Sequence, residues 1–270
     1  MKLIKIKNGN KTYKYTPQIK YTEDLLKPYL EEKQSTENLF KNYNGSDIDD
    51  LISYSDTENV TSMVRIFKGC TNLQTIPLLN TGKVTSMYSM FEDCTNLQTI
   101  PQLDTDNVEN MGSMFRNCTN LQTIPRLNTN NVVSMIDMFR GCNNLQTIPQ
   151  LNTDNVSHME GMFAGCFNLK TIDLTSLDKV SAIVYIELFA YSCNSLIKLI
   201  IRNMKKMPPL NTNSFSGCYH FKGTVDSTYN PEGLKDGRIY VPDNMVDSLK
   251  TATNWSVYAD IIVPLSTLEE

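Results

Sequence analysis

No apolar run approaches the roughly 18–20 residues needed to cross a bilayer. Charge interrupts the N-terminus at Lys2, Lys5 and Lys7, so Met1–Lys7 holds no continuous apolar stretch of the kind a secretory leader carries. The expectation is that a leader has been removed or that the protein leaves the cell by another route, such as lysis of a phage-infected cell. There is no excess of basic charge: 25 Lys and Arg face 29 Asp and Glu, for a net charge of −4 and a pI near 5.3. Nucleic-acid binders usually show a clustered basic surplus, so that class is excluded. Nor is there a Cys-x-x-Cys pair, a Gly-x-Ser-x-Gly, a His-Glu-x-x-His or a phosphate-binding glycine loop. Only two histidines occur, His158 and His220, neither with a motif-level partner. These gaps point away from an enzyme and away from a resident metal or cofactor.

What the chain does have is a period. The segment Cys70-Thr71-Asn72-Leu73-Gln74-Thr75-Ile76-Pro77 returns almost unchanged at Cys94, Cys118 and Cys142, altered at Cys166 and more distantly at Cys193. Four successive cysteine intervals are 24 residues, and the next two are 27 and 25. A second half-unit keeps the same period: Asn59-Val60-x-x-Met63, Lys83-Val84-x-x-Met87, Asn107-Val108-x-x-Met111, Asn131-Val132-x-x-Met135 and Asn155-Val156-x-x-Met159. A fixed period of this length is the mark of a solenoid.

Within one unit, Val84, Met87, Met90, Phe91 and Cys94 recur at spacings of three and four, which predicts one apolar face of a short helix of about three turns. Thr81 stands where an N-cap would. Leu97-Gln98-Thr99-Ile100 reads as a short strand stopped by Pro101, which has no N–H to donate to a ladder. Leu103-Asp104-Thr105-Asp106-Asn107 turns the chain into the next unit. Such a unit alone buries too little apolar surface to offset its ordering entropy. Stacked units share one core. The fold class read here is α/β, a solenoid of 24-residue strand-plus-short-helix units with a parallel sheet and non-repeat caps. About seven rungs, beginning near Leu73 and ending near Phe221, would make a stack roughly 30–35 Å long.

The run Asn107-Val108-x-x-Met111-x-x-Met114-Phe115-x-x-Cys118-x-Asn120-Leu121-x-Thr123-Ile124-Pro125 resembles the BspA-like leucine-rich repeats, over roughly residues 56–222. The resemblance implies a leucine-rich-repeat solenoid on a surface protein of gut or oral bacteria or their phages, used for attachment. Relatives of that kind usually carry a leader and an anchor, neither of which stands in this sequence.

Residues 1–55 and 223–270 do not repeat. In the first, two lysine-rich strands flank Asn8-Gly9, a hairpin turn pair. Thr22 heads a helix start with acids in its first turn, and Asn44-Gly45-Ser46 breaks the chain. The segment reads as a cap, or as an arm that attaches residues 1–20 to a larger virion or surface assembly. In the second, Arg238-Ile239-Tyr240-Val241 reads as a strand, Asp243 as the N-cap of a helix to about Thr251, and Asn254–Tyr258 as a last short helix. Trp255 is expected against the final rung.

Five of the seven cysteines share one column. Parallel Cβ vectors one rung apart leave them too far apart for a good disulfide, so buried free thiols acting as small hydrophobes are expected. The paired methionines, such as Met111 and Met114, read as core filler. Asp104-Thr105-Asp106 and Asn152-Thr153-Asp154 offer too few oxygens for calcium; turn chemistry accounts for them.

Two surfaces are candidates for binding. Gln74, Thr75, Gln98, Thr99, Gln122, Thr123, Gln146 and Thr147 form an unchanging polar ladder on the sheet face, suited to side-chain stacking or to a ligand that itself repeats, such as a polysaccharide. Tyr88, Glu92, Arg116, Asp137 and Arg140 vary from unit to unit on the helix face, as recognition of a non-repeating protein requires. The function expected is therefore a non-catalytic adhesion or recognition module, facing outward on a bacterial surface or a virion. Its partner is a protein or polysaccharide on a host or neighbouring cell. The alternative is a structural or host-attachment protein of a phage.

Overall fold

The computed structural model describes residues 4–8, 11–15, 37–44, 57–180, 188–205, 214–215, 218, 237–252 and 255–269. The chain is a parallel solenoid with one dry interior. Val84, Met87, Met90, Phe91, Cys94, Leu97 and Leu103, with their equivalents one unit on, are all buried at or near 0% exposure. The methionine columns are core, as their spacing implies.

The segment expected to be a three-turn helix is built differently. Met87, Ser89, Phe91 and Asp93 donate their N–H groups to Asn110, Gly112, Met114 and Arg116 of the next rung at 2.8–2.9 Å. The residues between them donate three residues back: Met90 to Met87, Glu92 to Ser89 and Cys94 to Phe91. Each rung edge is thus a string of tight turns cross-linked to its neighbour every second residue, in the manner of a parallel sheet. The backbone shows why a helix is excluded. Ser89, Asp93, Ser113, Asn117 and Asp137 have φ between +53° and +64°, and Gly141, Gly161 and Gly165 between +59° and +76°. A right-handed helix cannot carry a left-handed residue every four positions. The 3–4 apolar spacing is met equally by a turn string whose every fourth residue is left-handed. The residues placed there, Gly, Asn, Asp and Ser, include those that tolerate that region best.

Along the other edge, the Gln column crosses in register: Gln98 N–H to Gln74 O (2.9 Å), Gln122 to Gln98 (3.4 Å) and Gln146 to Gln122 (3.2 Å), with Asn120 and Asn144 donating beside them to Thr95 and Thr119 (3.2 Å each). Pro77, Pro101, Pro125 and Pro149 donate nothing, which interrupts the ladder. Where Asp173 takes the place of proline, a regular strand forms. We label the hairpin strands β1 (Ile4–Asn8) and β2 (Lys11–Tyr15), and the strands that follow β3 (Thr171–Ser176), β4 (Lys198–Asn203), β5 (Arg238–Val241) and β6 (Ile262–Pro264). Strands β3 to β6 make one parallel sheet in that order. The C-terminal segment therefore extends the sheet itself.

The aromatic column ties the stack together. Phe40, Phe67, Phe91, Phe115, Phe139 and Phe163 stack with near-parallel, offset rings, their centroids 5.5–5.7 Å apart. Phe189, Phe215 and Tyr258 continue edge-on at 5.3, 6.2 and 5.5 Å. Both arrangements suit the ring quadrupole. Tyr258, from the last segment, seals the column on Phe215, and Trp255, three residues earlier, is buried.

Three expectations shift at the ends. Rung geometry starts inside the segment read as a cap: Asn38, Phe40 and Asn42 donate to Val64, Ile66 and Lys68 at 2.7–3.1 Å. Asn8, expected in the turn, is the last residue of β1 and pairs with Lys11, while Gly9 lies outside the described residues. Asp243 does not cap the short helix α1 (Val246–Thr251); its carboxylate accepts the Ser266 N–H at 3.0 Å and ties down the last turn. The helix start at Thr22, Gly45 and Ser46, His220 and the rung near Phe221 lie outside the described residues.

Candidate binding groove

Between the buried leucine column and the next turn, side chains alternate out and in. Gln102 points out, Leu103 in, Asp104 out, Thr105 in and Asp106 out. The inward threonine is a clamp. The hydroxyls of Thr81, Thr105 and Thr129 donate to the carbonyls of Asp104, Asn128 and Asn152 one rung on, at 2.7–2.9 Å, and Thr153 does the same to Ser176. The residue expected as an N-cap thus fastens neighbouring rungs. The outward residue before it makes an Asx turn. Asp104, Asn128 and Asn152 each accept the N–H two residues on, at 2.9–3.1 Å, so these short motifs are the turns that their sequence indicates.

Repeated over consecutive rungs, this edge forms a depression of about 1120 Å³ running from Leu78 to Thr175. Its outward walls are three columns: Leu78, Gln102, Arg126 and Gln150; Asn80, Asp104, Asn128 and Asn152; and Asp106 with Asn130. Side-chain amides link rungs across it, Asn128 to Asp106 at 2.6 Å and Asn152 to Asn130 at 2.7 Å. Gln102 donates to the Arg126 carbonyl at 2.7 Å. Among the described residues, the Arg126 guanidinium makes no ion pair. Leu78, 77% exposed, marks one end as apolar. The groove was missed at the level of sequence because Asp104-Thr105-Asp106 was read only as a turn. The in–out alternation from Gln102 to Asp106 was the available signal.

The two surfaces expected from the sequence fare differently in geometry. Gln74, Thr75, Gln98, Thr99, Gln122, Thr123, Gln146 and Thr147 are all exposed, one pair per rung, forming the continuous polar strip anticipated. The variable residues are drawn together by ion pairs. Arg65 lies 5.2 Å above the Tyr88 ring. Lys68 reaches Glu92 at 2.6 Å. Arg116 and Arg140 both contact Asp137, at 3.4 and 3.3 Å. Burial would raise the Glu92 carboxyl, but the hydrogen bond and charge of Lys68, with the charge of Arg116, hold it below its usual range. Part of the variation on this edge is conformational, since Ser89, Ser113 and Asp137 occupy the left-handed position that also takes Gly161.

The thiols are all free and buried. They are more than small hydrophobes: Cys94, Cys118, Cys142 and Cys166 donate to the carbonyls of Phe67, Phe91, Phe115 and Phe139 on the preceding rung at 2.9–3.1 Å. Burial pushes the Cys70 thiol up to about 12 and Cys118 and Cys142 well above the ordinary range. Such thiols stay protonated and are poor nucleophiles. His158 sits half-buried at a rung edge, its Nδ1 2.8 Å from the Ser157 hydroxyl. Among the described residues, no three His, Cys, Asp or Glu side chains cluster as a metal site would require, and no helix is long and apolar enough to cross a membrane.

A family model described as "Mycoplasma protein of unknown function, DUF285" matches residues 34–147 and again residues 119–227. Together the two matches cover well over half of the chain. The protein belongs to the DUF285 family. The DUF285 match opens just ahead of Glu37, where the first described rung begins, and its two placements overlap over residues 119–147. No curated protein matches the chain.

Proposed function

We propose that this DUF285 protein is a non-catalytic recognition module that holds its ligand along the solenoid. The observation that carries the reading is the groove from Leu78 to Thr175. Successive rungs present outward side chains, mostly Asn, Asp and Gln, in columns along it. Stacked repeats make extended surfaces of this kind, and repeat proteins use them for binding. The resemblance of the repeats to BspA-like surface proteins favours an outward-facing setting, on a bacterial cell or a virion, with a partner on a host or neighbouring cell. The protonated, hydrogen-bonded thiols fit a scaffold role.

The test is direct. The purified, fluorescently labelled chain is incubated with intact bacterial and epithelial cells and washed. Saturable retention on one cell type, competed by unlabelled protein, is the expected result; retention no greater than that of an unrelated solenoid of equal charge overturns it.

A second reading is an assembly component of a virion or surface structure, attached through residues 1–20. It is favoured by β1 and β2 forming a two-stranded sheet of their own, because a lone hairpin is marginal in water and gains from docking. Removing residues 1–20 would then abolish incorporation into that assembly and spare cell binding.

A further inference from the structure

We infer that the groove takes a linear, uncharged glycan laid across the rungs, an inference that rests on the recognition reading above. Three features of the groove select this ligand class.

The first is the chemistry of its walls. Asn80, Gln102, Asn128, Asn130, Gln150 and Asn152 are carboxamides, each carrying both donors and acceptors. A sugar hydroxyl also donates and accepts: Asn128, Asn152 and Gln150 each give one amide hydrogen to a neighbouring rung and keep the second, and Gln102, whose amide bonds the Leu103 and Arg126 carbonyls, keeps its oxygen, so the wall as a whole can meet it in either sense. A protein partner would ask for something else. Protein interfaces centre on aromatic and other apolar anchors, whereas the leucines under this groove, Leu79, Leu103 and Leu127, are buried and only Leu78 at its end is exposed. A peptide strand would need backbone groups to pair with. Here much of the edge is already spanned by threonine hydroxyls bonded to the next rung's carbonyls and by Asx turns.

The second is charge. Asp104 and Asp106 line the same trough as Arg126. The two carboxylates repel a polyanion, which disfavours nucleic acid and heavily acidic polysaccharides. One guanidinium flanked by Gln102 and Gln150 in its column supplies a fork of donors for neighbouring hydroxyls.

The third is periodicity. The wall columns repeat once per rung, at about 4.8 Å, which is close to the advance of one pyranose unit in an extended chain. A polymer whose own units repeat can therefore meet a side-chain oxygen of the Asn80, Asp104, Asn128 and Asn152 column at each rung, and affinity should grow with the number of rungs engaged.

The experiment is an immobilised array of linear neutral and N-acetylated oligosaccharides, from disaccharides to octasaccharides, probed with the full chain and with variants. The expected result is binding to at least one series that strengthens from disaccharide to tetrasaccharide. Arg126→Ala, at an exposed side chain that clamps no neighbouring rung, weakens it roughly tenfold, the loss of one good polar contact or a little more. Asn128→Ala does the same, with thiol protection confirming that the variant is folded. Gln98→Ala with Gln122→Ala, on the separate polar strip, leaves binding unchanged. No glycan binding, binding indifferent to chain length, or loss in the Gln98 and Gln122 variant alone overturns the inference. Cell retention that persists in Arg126→Ala while the array stays blank removes the glycan and keeps the recognition module. Absence of both removes the two together.

Discussion

At Ser89, Ser113, Asp137 and Gly161, four side-chain environments hold one backbone angle, φ between +53° and +59°. The turn string depends on that angle, and the identity of the residue is secondary. A Cβ at Gly161 would meet Asp137 Oδ1 at 2.3 Å, and Asp137 is itself engaged by Arg116 and Arg140. Gly161→Ala should therefore cost about 1–2 kcal/mol, read as a lower urea midpoint with an unchanged slope. Glu92 gives a pH signature at the same scale. Its folded-state carboxyl is held low, so its contribution is present above the unfolded value, about pH 4–5, and is lost as pH falls through the folded value. Glu92→Gln should flatten the acid limb of the stability curve and leave neutral-pH stability falling only slightly, since the Lys68 pair is partly exposed. A variant with an unchanged acid limb would show that this pair contributes nothing.

At the scale of the element, the phenylalanine column is the spine. Phe115 stacks on both sides, against Phe91 and Phe139 at 5.6 Å each. Phe115→Ala should cost about 3–5 kcal/mol, measured by urea unfolding, whereas Phe40→Ala at the described end of the stacked run removes one neighbour and should cost less. The columns were legible in the sequence because burial depends only on spacing, and Val84, Met87, Phe91, Cys94 and Leu97 are all inward. Their local conformation was not. Apolar residues three and four apart satisfy a helix and a turn string alike, and the distinguishing pattern is the recurring left-handed position at Ser89 and Asp93, Ser113 and Asn117, Asp137 and Gly141. The groove was hidden for a related reason. Asp104 and Asp106 are turn residues and also wall residues, and only the stack shows that turns from successive rungs line one trough. The strand expected over residues 97–100 does not form as a regular strand; the regular β3 appears where Asp173 takes the place of proline, so Asp173→Pro should shorten that strand and loosen the Leu151 bond to it, seen as faster amide exchange at Leu151.

Across the whole molecule, the thiol column sets the response to alkali. The seven cysteines are buried in the folded chain, and burial raises Cys70 to about 12 and Cys118 and Cys142 well above the ordinary range. An unfolded thiol ionises near pH 8.5. The sign follows: stability is complete below that value and falls as pH rises from it toward the folded values, because only the unfolded chain gains thiolates. Each such thiol subtracts roughly 1.4 kcal/mol per pH unit in that window, so the protein should unfold cooperatively in alkali and a variant with Cys118 and Cys142 changed to Val should shift that midpoint upward relative to its own neutral stability.

The central claim is that units of 24 residues lie one upon another in register, and removing one whole unit tests it most directly. Excising residues 107–130 joins Asp106 to Asn131, which holds the same place in the repeat as Asn107. The shortened chain should unfold in a single cooperative transition, with every remaining thiol protected from iodoacetamide until it does. Thiols alkylated under native conditions, or a broad transition without a folded baseline, would contradict the stacked account.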